Sequence, residues 1–251
     1  MTNPHLYILT GASRGMGLAL ARALLQPGHR LLCISRSENA QLATWAQAAG
    51  GTLEQWPLDL AHSLEAATRL RQWLGQPGLR CTGATLINNA GVIPQIAPLS
   101  ALDPADLAQA LRVDLEAPMA LSAAFLAATE GWDVPRRILN ISSGLGRRPM
   151  ASQATYCAAK AGMDHYTRCL ALEEARKPHG ARVCSLAPGV IDTDMQVQLR
   201  GADAAAFPDR ARFEQLKRGD QLDSPEQAAR KILDYLARPD FGNEPVADVR
   251  G

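Results

Sequence analysis

The sequence has no excess of basic residues, no CxxC pair and no long apolar run, and each absence excludes a class of protein. Its 26 Lys and Arg residues face 25 Asp and Glu residues, so it has no basic surface for nucleic acid or an anionic membrane. Five scattered cysteines fit neither a disulfide framework nor a zinc site. We find no signal peptide and no membrane span of roughly 20 apolar residues. We therefore expect a cytoplasmic protein that binds no metal, nucleic acid or membrane.

Short aliphatic runs alternate with longer helical patterns along the chain. Strands are predicted at 6–10, 30–35, 52–58 and 136–142 and inside 84–91 and 181–189, and helices at 15–26, 36–49, 63–75, 104–129 and 154–176. Strands separated by helices of this length imply right-handed crossovers and a mostly parallel sheet covered on both faces. We predict one α/β domain over 1–251, doubly wound and of the Rossmann type.

The segment 190–223 interrupts this alternation and is predicted to be irregular. It ends at "SPEQ", where Ser224 is a helix N-cap, Pro225 suits the first helical position and Gln227 completes a capping box. Long excursions after the carboxyl end of a strand form the ligand crevice of such folds. We interpret 190–223 as a loop that covers the substrate.

Three glycines lie between the first strand and the first helix. Gly11, Gly15 and Gly17 form the pattern GxxxGxG in "LTGASRGMGLAL". Glycines at this place allow a sharp turn and let a pyrophosphate approach backbone N–H groups at a helix N-terminus. The alternative is a simple glycine-rich turn, but the position between strand and helix favours a dinucleotide site.

The end of the second strand indicates which dinucleotide is bound. An NAD site has an acidic residue about 20 residues past the glycines, whereas this strand ends in Ser35 and Arg36, and Arg14 lies inside the glycine loop. Arginine binds a phosphate through two N–H groups at once. Either arginine alone is consistent with a solvated surface charge. The two together, without an acidic residue, predict that the site binds NADP(H) and not NAD(H).

Ser143, Tyr156 and Lys160 form a candidate catalytic set. Tyr156 and Lys160 are four residues apart, so they lie on one face of a helix, and Ser143 precedes Tyr156 by thirteen residues at the end of the fifth strand. A ketone that accepts a hydride also needs a proton, which a phenol can donate. Because the pKa of free tyrosine is about 10, a neighbouring ammonium helps by favouring the phenolate. Ser143 would hydrogen-bond the carbonyl oxygen.

With these motifs the sequence resembles the short-chain dehydrogenase/reductase family. The shared motifs are "TGASRGMG", "NNAG", Ser143, "YCAAK" and "APG", and they cover nearly the whole chain in the family's order. The resemblance implies a homodimer or homotetramer, a small carbonyl substrate and a set of cofactor contacts. Those contacts are Gly11, Ser13, Arg14, Gly15, Met16 and Gly17 at the phosphates, Asp59 and Leu60 at the adenine, Asn89, Ala90 and Gly91 at the adenine ribose, Lys160 at the nicotinamide ribose, and Pro188, Gly189, Ile191 and Thr193 at the nicotinamide. Tyr156 is included among the cofactor contacts as well.

One residue departs from the family pattern. The family has an asparagine in the fourth helix that holds a water linked to the catalytic lysine, and "LRVDLEAP" places Asp114 there. A carboxylate accepts a hydrogen bond from water but adds a negative charge, which raises the pKa of a nearby phenol or ammonium. We therefore include Asp114 among the catalytic candidates and expect Asp114→Asn to retain substantial reductase activity.

The second half resembles the sepiapterin reductase and benzil reductase branch of the family. The shared features are "YCAAK", "LALEE" and "DTDMQ". By this resemblance Asp248 would anchor a substrate's N–H groups, unless it is merely solvated in its polar tail. Leu145 and Met195 are further substrate candidates, with Met150, Val190 and Phe213 as apolar lining or core. Arg147 and Arg148 are surface charges or contacts to an anionic substrate.

The resemblance implies reduction of a ketone or vicinal diketone by NADPH. Two alternatives stay open at this stage. One is a 3-oxoacyl, steroid or sugar alcohol dehydrogenase of the same fold. The other is an idle NADP(H) sensor, which would have no need for the complete set of Ser143, Tyr156 and Lys160.

Overall fold

The computed structural model describes residues 3–251 and contains one parallel sheet. Its seven strands lie in the order β3-β2-β1-β4-β5-β6-β7, and every neighbouring pair is parallel. The strands are β1 (His5–Thr10), β2 (His29–Ser35), β3 (Thr52–Pro57), β4 (Gly83–Asn88), β5 (Arg136–Ile141), β6 (Arg182–Ala187) and β7 (Val246–Asp248). The prediction of a doubly wound Rossmann-type domain is confirmed, and β7 is an addition that was not predicted.

Nine α-helices are present among residues 3–251. They are α1 (Gly15–Leu24), α2 (Ala40–Ala49), α3 (Ser63–Leu74), α4 (Pro104–Leu111), α5 (Ala117–Thr129), α6 (Ala154–Glu174), α7 (Asp194–Gly201), α8 (Arg210–Arg218) and α9 (Pro225–Ala237). The capping box at the start of α9 is confirmed, since the Ser224 hydroxyl accepts from the Gln227 N–H and the Gln227 side chain accepts from the Ser224 N–H. Within this part of the chain no helix combines the length and apolarity needed to cross a bilayer.

The sheet is covered on both faces, which gives two layers of apolar core. On one face, α1, α2 and α9 pack against the strands through residues such as Leu20, Leu42 and Ile232. On the other face, α3 and α5 pack through residues such as Leu70 and Phe125. Every residue of β4 is buried, as expected for a central parallel strand covered on both faces. The chemistry is therefore confined to the ends of the strands.

The predicted fourth helix contains a π-helical turn. Residues 104–129 were predicted as one helix, and they form α4, a π-turn at Arg112–Glu116 and α5. A π-turn holds one extra residue per turn, and such turns are frequent at functional sites. Here the turn buries Val113 and Asp114, so it determines where the Asp114 carboxylate lies.

The prediction of an irregular segment at 190–223 is wrong, because the segment contains α7 and α8. Their apolar residues Leu199 and Phe213 form a small separate cluster with Phe207 and with Ile96 from the connection after β4. Phe207 and Phe213 stack with ring centroids 5.6 Å apart. The base of the segment is closed by backbone hydrogen bonds between 190–192 and Asp223. We call residues 190–223 the lid.

Candidate active site

The strand order reverses between β1 and β4, and this reversal opens a crevice at their carboxyl ends. The Thr10 hydroxyl accepts hydrogen bonds from the backbone N–H groups of Asn89 and Ala90 at 2.9 and 3.0 Å. The Asn89 amide donates to the Thr10 carbonyl oxygen at 2.9 Å. These bonds join the ends of the two strands on either side of the crevice and hold its floor.

The glycine loop, residues 11–17, has positions at which only glycine fits readily. Gly15 has a φ of +55°, a left-handed value that side chains disfavour. A Cβ on Gly17 would lie 1.9 Å from the Gly11 carbonyl oxygen, so any side chain there would break the turn that leads into α1. The Ser35 hydroxyl accepts from the Ala12 N–H at 2.8 Å and fixes the loop from the second strand. The loop therefore fits a phosphate that approaches the backbone closely.

A cleft of about 370 Å³ extends from this loop to the lid, within the size range of small-molecule and cofactor sites. Every residue predicted to contact the cofactor lines it: Gly11, Ser13, Arg14, Gly15, Met16, Gly17, Arg36, Asp59, Leu60, Asn89, Ala90, Gly91, Tyr156, Lys160, Pro188, Gly189, Ile191 and Thr193. The predicted substrate residues Ser143, Leu145 and Met195 line the same cleft. Their individual contacts to a ligand stay predictions.

The two arginines assigned to the cofactor phosphate lie in different surroundings. Arg36 is exposed on the cleft wall directly after β2. Arg14 forms an ion pair with Asp194 at 2.8 Å, which joins the glycine loop to the first turn of α7. Both side chains of this pair are more than two-thirds exposed, so water screens the attraction. Arg14 must leave Asp194, or share it, to reach a phosphate, whereas Arg36 is already available.

Ser143, Tyr156 and Lys160 meet at the inner end of the cleft. Ser143 is the second residue after β5, and its hydroxyl accepts from the Leu145 N–H at 3.1 Å. Tyr156 and Lys160 extend from one face of α6, where the Lys160 ammonium lies 5.7 Å from the centroid of the tyrosine ring. The ammonium donates to the Ile141 carbonyl oxygen at 2.9 Å, which fixes it against the end of β5.

The electrostatics of this set keep the Tyr156 phenol protonated in the free protein. Burial raises the pKa of Tyr156, and the charge of Asp114 raises it further, while hydrogen bonding to Ser143 lowers it. Burial lowers the pKa of Lys160, while the charges of Asp114 and Asp164 act in the opposite direction. A phenol with a raised pKa keeps its proton at neutral pH, so Tyr156 is in the protonated form that a proton donor needs.

Asp114 lies behind the cleft wall and is fully buried. Its Oδ1 accepts from the Val92 N–H at 2.8 Å, and its Oδ2 has no hydrogen-bond partner among residues 3–251. A Cβ added to Gly91 would lie 3.5 Å from Asp114 Oδ1 and 3.8 Å from Lys160 Nζ. The carboxyl and the ammonium therefore flank the same glycine. Burial raises the pKa of Asp114 to about 6, although the charge of Lys160 opposes the rise.

This raised pKa predicts a pH-dependent gain in stability for Asp114→Asn. A carboxyl whose pKa is higher in the folded than in the unfolded state stabilises the fold below its unfolded pKa, and this stability is lost as the pH rises through about 6. The variant removes that loss, so its free energy of unfolding should exceed the wild type's by up to about 3 kcal/mol near pH 8. Near pH 4 the difference should shrink markedly.

Denaturant unfolding at both pH values measures this difference. Asp133→Asn is the matched control, because Asp133 is exposed and forms no ion pair within residues 3–251. A difference of the same size at both pH values would mean that the charge of Asp114 is not its cause.

Asp248 and Arg147 each form an ion pair within the protein. Asp248 is not on the cleft wall; its carboxylate forms an ion pair with Arg250 at 2.7 Å, and Arg250 lines the cleft. The hydrogen bond from Arg250 holds the pKa of Asp248 below its usual range. Arg147 is no free surface charge, since it donates to Asp164 at 3.2 Å and to the Ala247 carbonyl oxygen at 2.7 Å. It ties β7 to the loop after Ser143.

Some residues that shape the site were not predicted. Thr10 and Ser35 support the crevice through their hydroxyls, and the Asn39 amide donates to the Ser13 carbonyl oxygen at 2.9 Å while its Oδ1 caps α2. Position is the one signal that would have found them, because each lies at or just after the carboxyl end of a strand beside the glycine loop. Nothing in their residue types distinguishes them from ordinary strand ends and caps.

Comparison with known proteins shows the same likeness along the chain. A family model described as short chain dehydrogenase matches residues 5–204. A benzil reductase ((S)-benzoin forming) of Bacillus cereus is 35% identical over 245 residues, which cover 96% of this chain and 98% of the relative. A sepiapterin reductase of Xenopus tropicalis is 34% identical and covers 92% of this chain and 90% of its own. A crystal structure of a metagenomic short-chain oxidoreductase in complex with NADP is 29% identical and has a TM-score of 0.73. The match covers 98% of this chain and 96% of that protein's chain.

Proposed function

The chain belongs to the short-chain dehydrogenase/reductase family, and on that premise we propose that it reduces ketones or vicinal diketones to alcohols with NADPH. The observation that carries the proposal is the single cleft that holds both the glycine loop and the set of Ser143, Tyr156 and Lys160. A dinucleotide-binding end and a proton-donating end are thereby in reach of one bound cofactor and one substrate.

The preference for NADPH rests on the charge at the far end of the cleft. Arg36 follows β2 at the place where NAD-binding sites of this fold have an acidic residue. A guanidinium there suits a 2′-phosphate, because it offers two parallel N–H donors to a phosphate oxygen pair. Arg14 adds a second cation nearby, although it shares its charge with Asp194.

NADPH, when bound, supplies the hydride that reduces the carbonyl carbon. The residues of the chain supply the proton and the orientation. Tyr156 donates its phenolic proton to the carbonyl oxygen, and Ser143 donates a hydrogen bond to the same oxygen, so charge that develops there is stabilised. Lys160 lies beside the tyrosine ring, where its ammonium favours the phenolate that remains. We propose that the same ammonium also binds a ribose hydroxyl of the cofactor.

The substrate end of the cleft favours an apolar carbonyl compound. Its walls include Leu145, Met150, Leu199 and Phe213, and the lid helices close over it from one side. The two relatives described above are named for the reduction of benzil and of sepiapterin, and both names denote activated carbonyl compounds. We therefore place vicinal diketones first among the substrates of this chain.

A panel of carbonyl compounds tests this proposal. NADPH oxidation is measured with benzil, diacetyl, sepiapterin and an acetoacetyl thioester, each at several concentrations. We expect kcat/KM to be highest for benzil or sepiapterin and at least tenfold lower for the thioester, because the apolar residues at the substrate end suit a compact ring-bearing carbonyl compound better than a long thioester chain. A reversed order would favour a 3-oxoacyl reductase, and no consumption with any compound would favour an NADP(H) sensor.

A further inference from the structure

Two arginines on the substrate half of the cleft have no acidic partner within residues 3–251. Arg14 and Arg250, which also line the cleft, are paired with Asp194 and Asp248. Arg148 and Arg212 line the cleft as well, and within residues 3–251 neither has a carboxylate within ion-pair distance. The charge of both guanidiniums is therefore open to a ligand.

Arg148 lies beside the catalytic serine. A terminal nitrogen of its guanidinium is 3.1 Å from the position that a Cβ on Gly144 would occupy, and Gly144 follows Ser143 directly. The Arg148 backbone is in turn close to α6, since its carbonyl oxygen is 4.0 Å from Cys157 Sγ. The guanidinium is thus on the wall formed by the catalytic loop.

Arg212 reaches the cleft from the lid. It is one turn before Leu216 on α8, and both residues line the cleft together with Phe213, so one face of this helix is turned inwards. The one acidic residue of α8, Glu214, is shared by Arg210 and Arg218 at 2.9 and 3.1 Å. Glu214 is therefore engaged on the other side of the helix, and Arg212 stays uncompensated.

Within residues 3–251 the cleft wall has two acidic residues. The acidic residues on the cleft wall are Asp59, near the predicted adenine end, and Asp194, which is paired with Arg14. The same cleft wall also includes the apolar residues Leu145, Met150 and Phe213. The surface matches a ligand with an apolar body and a negative group.

We propose that the preferred substrates are apolar ketones or diketones that carry a carboxylate, bound by Arg148 and Arg212. The inference rests on the proposed reductase function and narrows its substrate class. Guanidiniums bind carboxylates through paired N–H donors in a planar geometry, and a charge-assisted bond of this kind is roughly twice as strong as a neutral one. The two arginines would also attract an anionic substrate before contact, and salt would weaken that attraction.

Three related diketones test this inference: benzil, 4-carboxybenzil and the methyl ester of 4-carboxybenzil. The ester matches the acid in size but has no charge. We expect kcat/KM for the acid to exceed that for the ester by about tenfold or more at low ionic strength, and added salt to reduce the value for the acid alone. Arg148→Gln and Arg212→Gln should each lower the ratio of acid to ester, and the double variant should bring it close to one.

Arg218→Gln is the matched control, because Arg218 lies on α8, does not line the cleft and is paired with Glu214. It should leave the ratio unchanged. Reduction of benzil and the ester at rates equal to the acid, with no effect of the double variant on the ratio, would overturn this inference and leave the reductase function intact. No NADPH oxidation with any of the three would overturn this inference, and no oxidation with the other compounds of the panel either would overturn the reductase function as well.

Discussion

Tyr156→Phe is expected to lower kcat for carbonyl reduction by about 10²–10⁴-fold, the usual contribution of a positioned general acid. The Tyr156 phenol is protonated at neutral pH, because burial and the charge of Asp114 raise its pKa, and it is the group that we propose as the proton donor. Phenylalanine keeps the ring and its packing on α6 but has no proton to donate. Affinity for NADPH, measured by quenching of its fluorescence, should change by less than about threefold, because the predicted phosphate contacts are in the glycine loop, away from Tyr156.

Tyr166→Phe is a closely matched control for this prediction. Tyr166 is on the same helix and its hydroxyl is also buried, but it does not line the cleft. It should retain turnover, which separates loss of the acid from loss of a buried hydroxyl. Turnover near the wild-type rate in Tyr156→Phe would remove Tyr156 as the proton donor.

Arg36→Asp should change the preference for NADPH over NADH by roughly 100-fold or more. The substitution removes a charge-assisted contact to the 2′-phosphate and places a like charge beside it. In NADH the same carboxylate would accept hydrogen bonds from the free ribose hydroxyls. The measurement is kcat/KM for each cofactor at saturating benzil, expressed as a ratio.

Two comparisons sharpen the cofactor test. Arg71→Asp makes the same charge change at the end of α3, outside the cleft, and should leave the ratio unaltered. Arg14→Gln should have a smaller effect than Arg36→Asp, because Arg14 already pairs with Asp194. A ratio unchanged in Arg36→Asp would mean that the 2′-phosphate is bound elsewhere or that the protein uses NADH.

Much of the fold and of the site could be predicted from the sequence because both follow local rules. Aliphatic runs of strand length separated by helical patterns lead to the parallel sheet, and the glycine loop and α6 lie where the alternation puts them. Tyr156 and Lys160 lie on one helical face whatever the rest of the chain does. Ser143 joins them because the carboxyl ends of parallel strands share one edge of the sheet.

The features that the sequence did not reveal depend on contacts between distant segments. The π-turn at Arg112–Glu116 leaves no mark in the hydrophobic pattern, yet it decides that Asp114 is buried beside Gly91. The three-residue strand β7 lies in a polar tail and exists through its pairing with β6. Arg147 was expected at the surface or at an anionic ligand, but it is held between Asp164 and the Ala247 carbonyl oxygen.

The lid illustrates the same limit in another way. Its helices α7 and α8 are short, and α8 carries Phe213 as its one buried side chain, so its pattern resembles a polar loop. The lid is ordered by the apolar cluster that Phe213 forms with Phe207 and Ile96. Ile96 lies about a hundred residues earlier in the chain. The ion pair between Asp248 and Arg250 could likewise not be predicted from a sequence motif. Two flexible side chains near a chain end have many possible partners.

Transfer of deuterium from NADPH to the product tests the central claim most directly. The enzyme is incubated with benzil and NADPH deuterated at both C4 positions, and benzoin is analysed by mass spectrometry together with the amount of NADP⁺ formed. We predict one deuterium on the carbinol carbon of each benzoin molecule and one NADP⁺ per benzoin, with both products formed about 10²–10⁴-fold more slowly in Tyr156→Phe. Bound NADPH that never delivers deuterium to benzil or to any other carbonyl of the panel would contradict the assignment as a reductase.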